Sequence, residues 1–149
     1  YNPIGTSKFL SFMLQQLNHI VIVEELFRAR LLGLNAPHQS TNTVQIPVLS
    51  ELSMRLSSSN KWLLAYTQQL NNESLNEMIH FQFVDGRNGR MTCAEILFHL
   101  INHGTYHRGA IGHSLDLADG DRPADTYTVF AHAVEPTRRD HNLHISQHT

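Results

Sequence analysis

Apolar residues recur at helical spacing over two long stretches in the first half of the chain. The first stretch runs from about Ser7 to Leu32, and the second runs from about Val48 to Leu70. This spacing gives a helix one apolar face, so it predicts two long amphipathic helices. Gly33 suits the left-handed end of the first helix, and the polar run NAPHQSTNT that follows predicts a loop.

The second stretch carries a broad stripe of leucines with one polar interruption. The stripe consists of Leu49, Leu52, Leu56, Leu63, Leu64 and Leu70. The run SSSN at 57–60 interrupts it, which predicts either a kink or an exposed face of the helix.

The pattern changes between residues 71 and 91. The segment MIHFQFV alternates apolar and polar residues, and the segment DGRNGRM after it contains two glycines that suit a tight turn. This predicts a short two-stranded β-ribbon. Thr92 and Glu95 then form a T-x-x-E capping box, so a third helix is predicted from about Cys93 to Leu117.

The last part of the chain predicts one more short helix and a tail. The run ADGDRPAD ends the third helix, and Asp125 or Thr126 can cap a short helix through about Ala133. We therefore expect residues 1–136 to form one all-α domain with a short β-ribbon. Residues 137–149 are expected to be a flexible, His-rich tail.

Length and charge agree with one globular domain. The chain has 149 residues, of which 41% are hydrophobic and 16% are charged, and its formal net charge is −2. This balance argues against a dedicated nucleic-acid binder. No apolar run approaches the roughly 18 residues that a membrane-spanning helix needs. The first residues do not show the charged and then apolar pattern of a signal peptide. We expect a cytoplasmic protein without nucleic-acid or membrane partners.

Histidine is in excess, with 11 copies, whereas cysteine occurs once. One cysteine excludes a disulfide framework and a Cys-rich zinc module, and it fits a reducing compartment. In the segment FHLINHGTYHRGAIGHS, His99, His103 and His107 stand at every fourth position. Each step of four turns about 40° around the axis, so the three share one face of the third helix. An adjacent pair can bind one metal ion together with a ligand from elsewhere.

His19 is the best candidate for the remaining ligand, because it lies in the middle of the first helix among apolar neighbours. Three neutral imidazoles leave coordination positions open for water and substrate, which is typical of a catalytic site. Zinc or nickel is expected, with iron, manganese or copper as alternatives, since imidazole suits all of them. The competing interpretation is that the histidines satisfy hydrogen bonds in the interior without a metal.

The segments LNHIVIVEELFRARLLG and HLINHGTYHRGAIG resemble the DinB-like family of bacterial damage-inducible and stress-associated proteins. The resemblance covers roughly residues 9–133. It implies an up-down-down-up four-helix bundle, often dimeric, that holds a divalent metal through three histidines. Carried over by motif, these are His19, His103 and His107. His99 then orients a ligand or lines the pocket.

The sequence departs from the family pattern at two points. The helix that usually precedes the LNH segment is largely absent, so the first helix of the bundle is expected to be truncated or missing. Ala110 stands where the family commonly has glutamine after HRG. This difference removes one polar group near the metal.

Relatives with this kind of site include bacillithiol S-transferases and mycothiol-dependent maleylpyruvate isomerase. The resemblance therefore implies a homodimeric, metal-dependent enzyme that transfers a low-molecular-weight thiol to a small electrophile. A metal-dependent hydrolase and a non-catalytic, stress-associated metal-binding or dimerising bundle are the alternatives. Arg108 and Tyr106 are candidate substrate contacts. By default, Arg108 pairs with a nearby acid and Tyr106 is buried in an interface.

Several other side chains carry expectations from their positions. One of Glu24 and Glu25 could orient a ligand or act as a base, and the default is a surface ion pair with Arg28. Trp62 is expected in the core. Cys93 lies at a helix N-terminus, which favours a reactive thiol, but no basic residue stands beside it, so a catalytic role is not expected. The remaining histidines are expected on the surface: His38, His80, His113, His132, His141, His144 and His148.

Overall fold

The computed structural model describes residues 3–139 of the chain. These residues are mostly helical, with one small antiparallel sheet. In chain order the elements are α1 (Pro3–Leu31), α2 (Leu49–Thr67), α3 (Asn72–Asn76), β1 (Met78–Gln82), β2 (Asn88–Thr92), α4 (Cys93–Leu117), α5 (Tyr127–Val134) and a 3₁₀ helix (Pro136–Arg139). Within this range, no helix combines the length and the apolar composition that crossing a membrane requires.

The main helix pair of the fold consists of α1 and α4. The two run antiparallel, since Gln16 of α1 contacts His107 whereas Phe27 of α1 contacts His99. A buried apolar cluster fills the space between them: Val23, Phe27, Ile96 and Leu100. Burial of such side chains stabilises the pair. Gly33, with φ of 64°, follows the end of α1 as predicted.

The second long helix, α2, packs against α1. It continues without a break across residues 57–60, so the predicted interruption is not a kink. Ser59 is buried and the other three residues of that run are exposed, which confirms the exposed face for most of the run. The leucine stripe is divided, because Leu52 is fully buried whereas Leu49 and Leu64 face solvent.

The short helix α3 is an element that the hydrophobic pattern did not predict. Asn71 caps it, since Oδ1 of Asn71 accepts a hydrogen bond from the Ser74 backbone N–H at 2.9 Å. In return, Oγ of Ser74 accepts from the Asn71 backbone N–H at 2.8 Å. This is a capping box with serine in the place of the usual glutamate. Five residues are too few for an apolar period to show.

The predicted β-ribbon is confirmed, because β1 and β2 pair antiparallel. Gly86 lies in the turn with φ of 86°. Gly89, in contrast, belongs to β2 and pairs with Phe81. A Cβ at position 89 would lie 2.5 Å from the Phe83 ring and 2.8 Å from the Phe81 ring. Glycine therefore occurs there because two aromatic rings cover the strand.

Arg30 connects the ribbon to α1. Its guanidinium carbon lies 4.4 Å from the ring centre of Phe27 on α1 and 4.4 Å from that of Phe81 on β1. Its Nη2 also donates to the backbone oxygen of Gln82 at 3.4 Å. These cation–π contacts place the ribbon against the helix pair near the start of α4.

The sequence predicts capping residues at the N-termini of α4 and α5, and the structure shows which residues form these caps. The Oγ1 of Thr92 accepts from the Glu95 backbone N–H at 3.2 Å, and Oε2 of Glu95 accepts from the Thr92 N–H at 2.8 Å, which confirms the capping box of α4. Thr126 is the cap of α5. Asp125 does not cap it, because its carboxylate forms an ion pair with α4.

The last helix, α5, lies apart from the helix pair. It packs against the 3₁₀ helix that follows it, and among the described residues no other helix or strand makes more than a marginal contact with it. Its exposed apolar side chains are Tyr127, Val129, Phe130 and Val134. The up-down-down-up order of four helices stays a prediction. Residues 140–149 of the predicted tail lie outside the described residues.

Candidate metal centre

Three histidines converge between α1 and α4. Ring nitrogens of His19, His103 and His107 all lie within 4.8 Å of one another, and the three side chains are half-buried. His103 and His107 lie one turn apart on α4, and α1 contributes His19 from the opposite side. The structure thus brings together the three residues that the sequence proposes as ligands.

The distances within this cluster fit a metal that binds imidazole. Nε2 of His103 lies 3.0 Å from Nε2 of His19. The ring centre of His107 lies 4.6 Å from that of His19 and 4.4 Å from that of His103. Tetrahedral zinc with Zn–N bonds of about 2.0–2.1 Å separates two ligand nitrogens by roughly 3.3 Å. A small adjustment of the rings would therefore suffice for one ion to bind them.

An oxygen acceptor holds the second ring nitrogen of His19. Its Nδ1 lies 2.6 Å from the backbone oxygen of Thr41, in the loop between α1 and α2. A carbonyl oxygen only accepts hydrogen bonds, so Nδ1 carries the proton and Nε2 presents its lone pair to the cluster. Metal-binding histidines usually show such an arrangement.

His107 has a similar partner. Its Nδ1 lies 2.6 Å from Oε1 of Gln16, one turn before His19 on α1. Sequence reasoning missed both Gln16 and Thr41. The i, i+3 spacing of Gln16 and His19 could have identified the former, since it places both on one face of α1. Thr41 acts through its backbone carbonyl, which leaves no signal in the sequence.

The environment favours neutral imidazoles. Burial, and then repulsion from His107, His19 and His99, together lower the pKa of His103 to about 4. Burial, followed by the charge of His19, also lowers the pKa of His107. Neutral imidazole is the form that binds a metal, so these rings are ready to do so at neutral pH.

His99 extends the row of histidines on α4 but lies beside the cluster. Its ring centre is 5.3 Å from that of His103 and 4.8 Å from that of Phe27. Burial, and then the charge of Arg30, lowers the pKa of His99. It therefore borders the cluster as a neutral ring between the metal-capable histidines and the apolar core.

Arg108 already has an acidic partner. Its Nε donates to Oδ2 of Asp125 at 2.6 Å, so the default expectation of an ion pair is confirmed. Arg108 also lines a cleft of about 790 Å³ between α4, Leu17 of α1 and residues 122–126. The guanidinium of Arg108 thus pairs with Asp125 and also forms part of the wall of the cleft.

Tyr106 is exposed rather than buried within the chain. Its side chain is 75% exposed, and its ring lies edge-on to that of His107 with 5.1 Å between the centres. It therefore borders the histidine cluster from the solvent side.

The predicted ion pair of Glu25 with Arg28 is wrong. Glu25 instead accepts two hydrogen bonds from Arg55, at 2.9 and 2.6 Å, and contacts Nε2 of His38 at 2.5 Å. The guanidinium of Arg28 lies 4.9 Å from the ring centre of Trp62, which is half-buried rather than in the core. His38 and His132 are partly exposed, whereas His80 and His113 are fully on the surface.

The single cysteine is enclosed. Cys93 is 1% exposed, and its Sγ lies 3.7 Å from the hydroxyl of Tyr66. Burial, together with Cys93, raises the pKa of Tyr66 to about 12. Cys93 precedes His103 by ten residues, or about 15 Å along α4. Its burial argues against a reactive thiol.

Comparison with known proteins gives one family and one relative. A family model described as the DinB family matches residues 3–140. Protein DinB of Bacillus subtilis (strain 168) is 34% identical over 73 residues, which cover 49% of this chain and 40% of that relative. The chain thus matches less than half the length of this curated relative. No solved structure matches the chain.

Proposed function

The chain belongs to the DinB family, and from that premise we propose that it binds a divalent metal through His19, His103 and His107. The observation that carries this proposal is the approach of three ring nitrogens, from two helices, to within 4.8 Å of one another. Zinc or nickel is the expected metal, with iron, manganese or copper as alternatives.

The residues around the cluster support this role. The Thr41 carbonyl and the Gln16 side chain each accept from a ring Nδ1, so the lone pair of His19 and of His107 lies on Nε2. Burial lowers the pKa of His103, so protons do not compete for that ring at neutral pH. Three ligands leave a coordination position open. A metal bound there lowers the pKa of a water or thiol in that position.

We propose further that the reaction joins a low-molecular-weight thiol to a small electrophile. Cys93 is the single cysteine of the chain and is buried, so the chain offers no accessible thiol nucleophile of its own. The thiol would have to come from solution. The metal-dependent hydrolase differs in using water instead, and the non-catalytic bundle would bind the metal without turnover.

The substrate would be bound by residues beside the cluster. The cleft next to Arg108 has an apolar wall that includes Leu17 and Leu115, which suits a small organic electrophile. The rings of His99 and Tyr106 lie next to those of His103 and His107, so these two residues are proposed to border the metal itself rather than the cleft.

Metal content tests the foundation of this proposal. The purified protein, the double variant His103→Ala/His107→Ala and the control His113→Ala are analysed for bound metals. His113 is exposed on the same helix, so its removal tests for unspecific loss. Metal is expected in the wild type and the control and is expected to be lost in the double variant. Equal content in all three would contradict the proposal.

Turnover assays distinguish the reactions. The metal-loaded protein is incubated with a chromogenic electrophile with and without a bacterial low-molecular-weight thiol. A rate that requires the thiol supports the transferase. Ester hydrolysis without thiol favours the hydrolase, and no rate in either assay favours the non-catalytic bundle.

Three further proposals concern the whole protein. We propose that it is a homodimer, for which the exposed apolar residues of α5 offer a contact surface.

We also propose a cytoplasmic location, which fits its single cysteine. Residues 1–136 would form one domain, followed by the tail 137–149; residues 137–139 of that tail belong to the 3₁₀ helix beside α5 rather than to a flexible segment. Sedimentation equilibrium tests the dimer, and limited proteolysis tests the tail.

A further inference from the structure

We propose that the loop between α1 and α2 fixes the tautomer and orientation of His19, and that Asn18 and Asn42 are the positioning residues for this task. The loop supplies the Thr41 carbonyl that accepts from Nδ1 of His19 at 2.6 Å. The inference rests on the proposed metal site, because it describes how one of its ligands is prepared.

Asn18 lies next to His19 in sequence and is fully buried. Burial of an amide side chain destabilises the folded state unless the amide forms hydrogen bonds, so the partners of Asn18 indicate its structural role. Nδ2 of Asn18 donates to Oδ1 of Asn42 at 2.6 Å and to Oγ1 of Thr43 at 2.8 Å. The amide therefore binds the loop on the residues that directly follow Thr41.

Asn42 completes the connection between the loop and α1. Its Nδ2 donates to the backbone oxygen of Gln15 at 3.2 Å, while its Oδ1 also accepts from the Thr43 backbone N–H at 3.0 Å. Asn42 is thus bonded to α1 at two places, through Gln15 and Asn18. Because Thr41 precedes it directly, these bonds hold the Thr41 carbonyl over the ring of His19.

The start of the same loop is also attached to α1. His38 contacts Glu25, which Arg55 of α2 holds from the other side. The segment from His38 to Thr43 is therefore fixed at both ends. Removal of the Asn42 side chain should release the end next to His19 while the end at His38 stays in place.

The bond from Thr41 has a chemical consequence that a side-chain acceptor would not ensure. The Gln16 amide beside His107 can rotate and offer either its oxygen or its nitrogen. A backbone carbonyl offers only an oxygen, so it selects the Nδ1-protonated form of His19. This selection leaves the lone pair on Nε2, the atom that faces His103.

The test compares Asn42→Ala with Gln39→Ala, which removes an exposed side chain from the same loop. Long-range ¹H–¹⁵N NMR spectra of the metal-free protein near neutral pH report the tautomer of each histidine. We expect His19 to be Nδ1-protonated in the wild type and in Gln39→Ala, and a tautomer mixture in Asn42→Ala. An Nε2-protonated His19 in the wild type, or an unchanged tautomer in Asn42→Ala, would overturn the proposal. Asn18→Ser is a second variant with the same expected shift.

A second readout is zinc affinity, measured by competition with a chromogenic chelator. Loss of a group that orients a ligand typically weakens binding by roughly 10- to 100-fold, and we expect this for Asn42→Ala. Gln39→Ala should bind zinc as the wild type does. Equal affinity of Asn42→Ala and the wild type would overturn the positioning role. Since the tautomer is read without metal, a failure of the metal proposal is recognised separately, as absent zinc binding in the wild type.

Discussion

Nε2 of His103 on α4 lies 3.0 Å from Nε2 of His19 on α1. Because the Thr41 carbonyl keeps the proton of His19 on Nδ1, Nε2 of His19 accepts in this contact and Nε2 of His103 donates. For one metal to bind both Nε2 atoms, the neutral His103 ring must carry its proton on Nδ1 instead of Nε2. Metal binding is therefore coupled to a change of tautomer at His103.

The metal-free protein is predicted to lose stability as the pH falls from about 6.5 towards 4. Burial lowers the pKa of His103 to about 4, whereas the unfolded chain has a value of about 6.5. The unfolded state then binds more protons in this window, so acidification favours unfolding. His103→Asn should flatten the pH dependence of the urea midpoint, and His113→Asn should not. An unchanged slope in His103→Asn would show that His103 is not the group responsible.

Metal should raise the melting temperature of the wild type. At a free metal concentration of about a hundred times Kd, mass action contributes about 2.7 kcal/mol. For a chain of this size this corresponds to a rise in Tm of about 5–10 °C. His107→Ala should lose most of the rise, and His113→Ala should keep it. Chelator treatment of the loaded wild type should reverse the shift, and a Tm indifferent to chelator would contradict the site.

Glu24→Gln is predicted to stabilise the protein at neutral pH. Burial raises the pKa of Glu24, and Ser59 and Arg108 offset this rise only in part. Its Oε2 has no hydrogen-bond partner among the described residues. A carboxyl group whose pKa is higher in the folded state than in the unfolded state favours folding at a pH below its unfolded pKa. This contribution to the free energy of unfolding is lost as the pH rises through the folded pKa. Denaturant titrations should show a gain on the order of 1 kcal/mol near pH 7 that disappears below about pH 4.

The neighbouring carboxylate is predicted to respond in the opposite direction. Burial favours the protonated form of Glu25, but hydrogen bonds from Arg55 and His38 outweigh it and lower the pKa. The charged form of Glu25 therefore stabilises the folded state at a pH above its unfolded pKa. This stabilisation is lost as the pH falls through its folded pKa. Glu25→Gln should therefore cost about 2 kcal/mol near pH 7 and little in acid.

The control for this experiment is Glu51→Gln. Glu51 lies 3.7 Å from Arg55 and is half exposed, so its ion pair contributes little. An equal cost for the two substitutions would mean that the charge of Arg55 matters and its bidentate geometry does not.

Features that depend on nearby residues were predictable from the sequence. The capping box of Thr92 and Glu95 involves four consecutive positions, and the sequence identified both the box and the start of α4. The spacing of His103 and His107 likewise sufficed to put them on one face. The helix α3 was not predicted, because the feature that marks it is a cap made by Asn71 and Ser74 rather than an apolar period.

Features that depend on distant residues were not predictable in this way. The spacing of Glu25 and Arg28 favoured a local ion pair, but Arg55, 30 positions away, offers two parallel hydrogen bonds. Such a bidentate pair outweighs a single exposed contact. The partner of His19 is a backbone carbonyl, and its position depends on how the loop folds back on α1 rather than on the identity of Thr41.

The position of α5 has a consequence for amide hydrogen exchange. A helix of eight residues is too short to be stable by itself in water, and its packing neighbour is a 3₁₀ helix of four residues. Its amides should exchange through opening of this segment alone, whereas core amides of α1 and α4 exchange only when their shared core opens. A molecule that binds to α5 should therefore slow the amide exchange of that segment, while the exchange rates of the core amides in α1 and α4 stay unchanged.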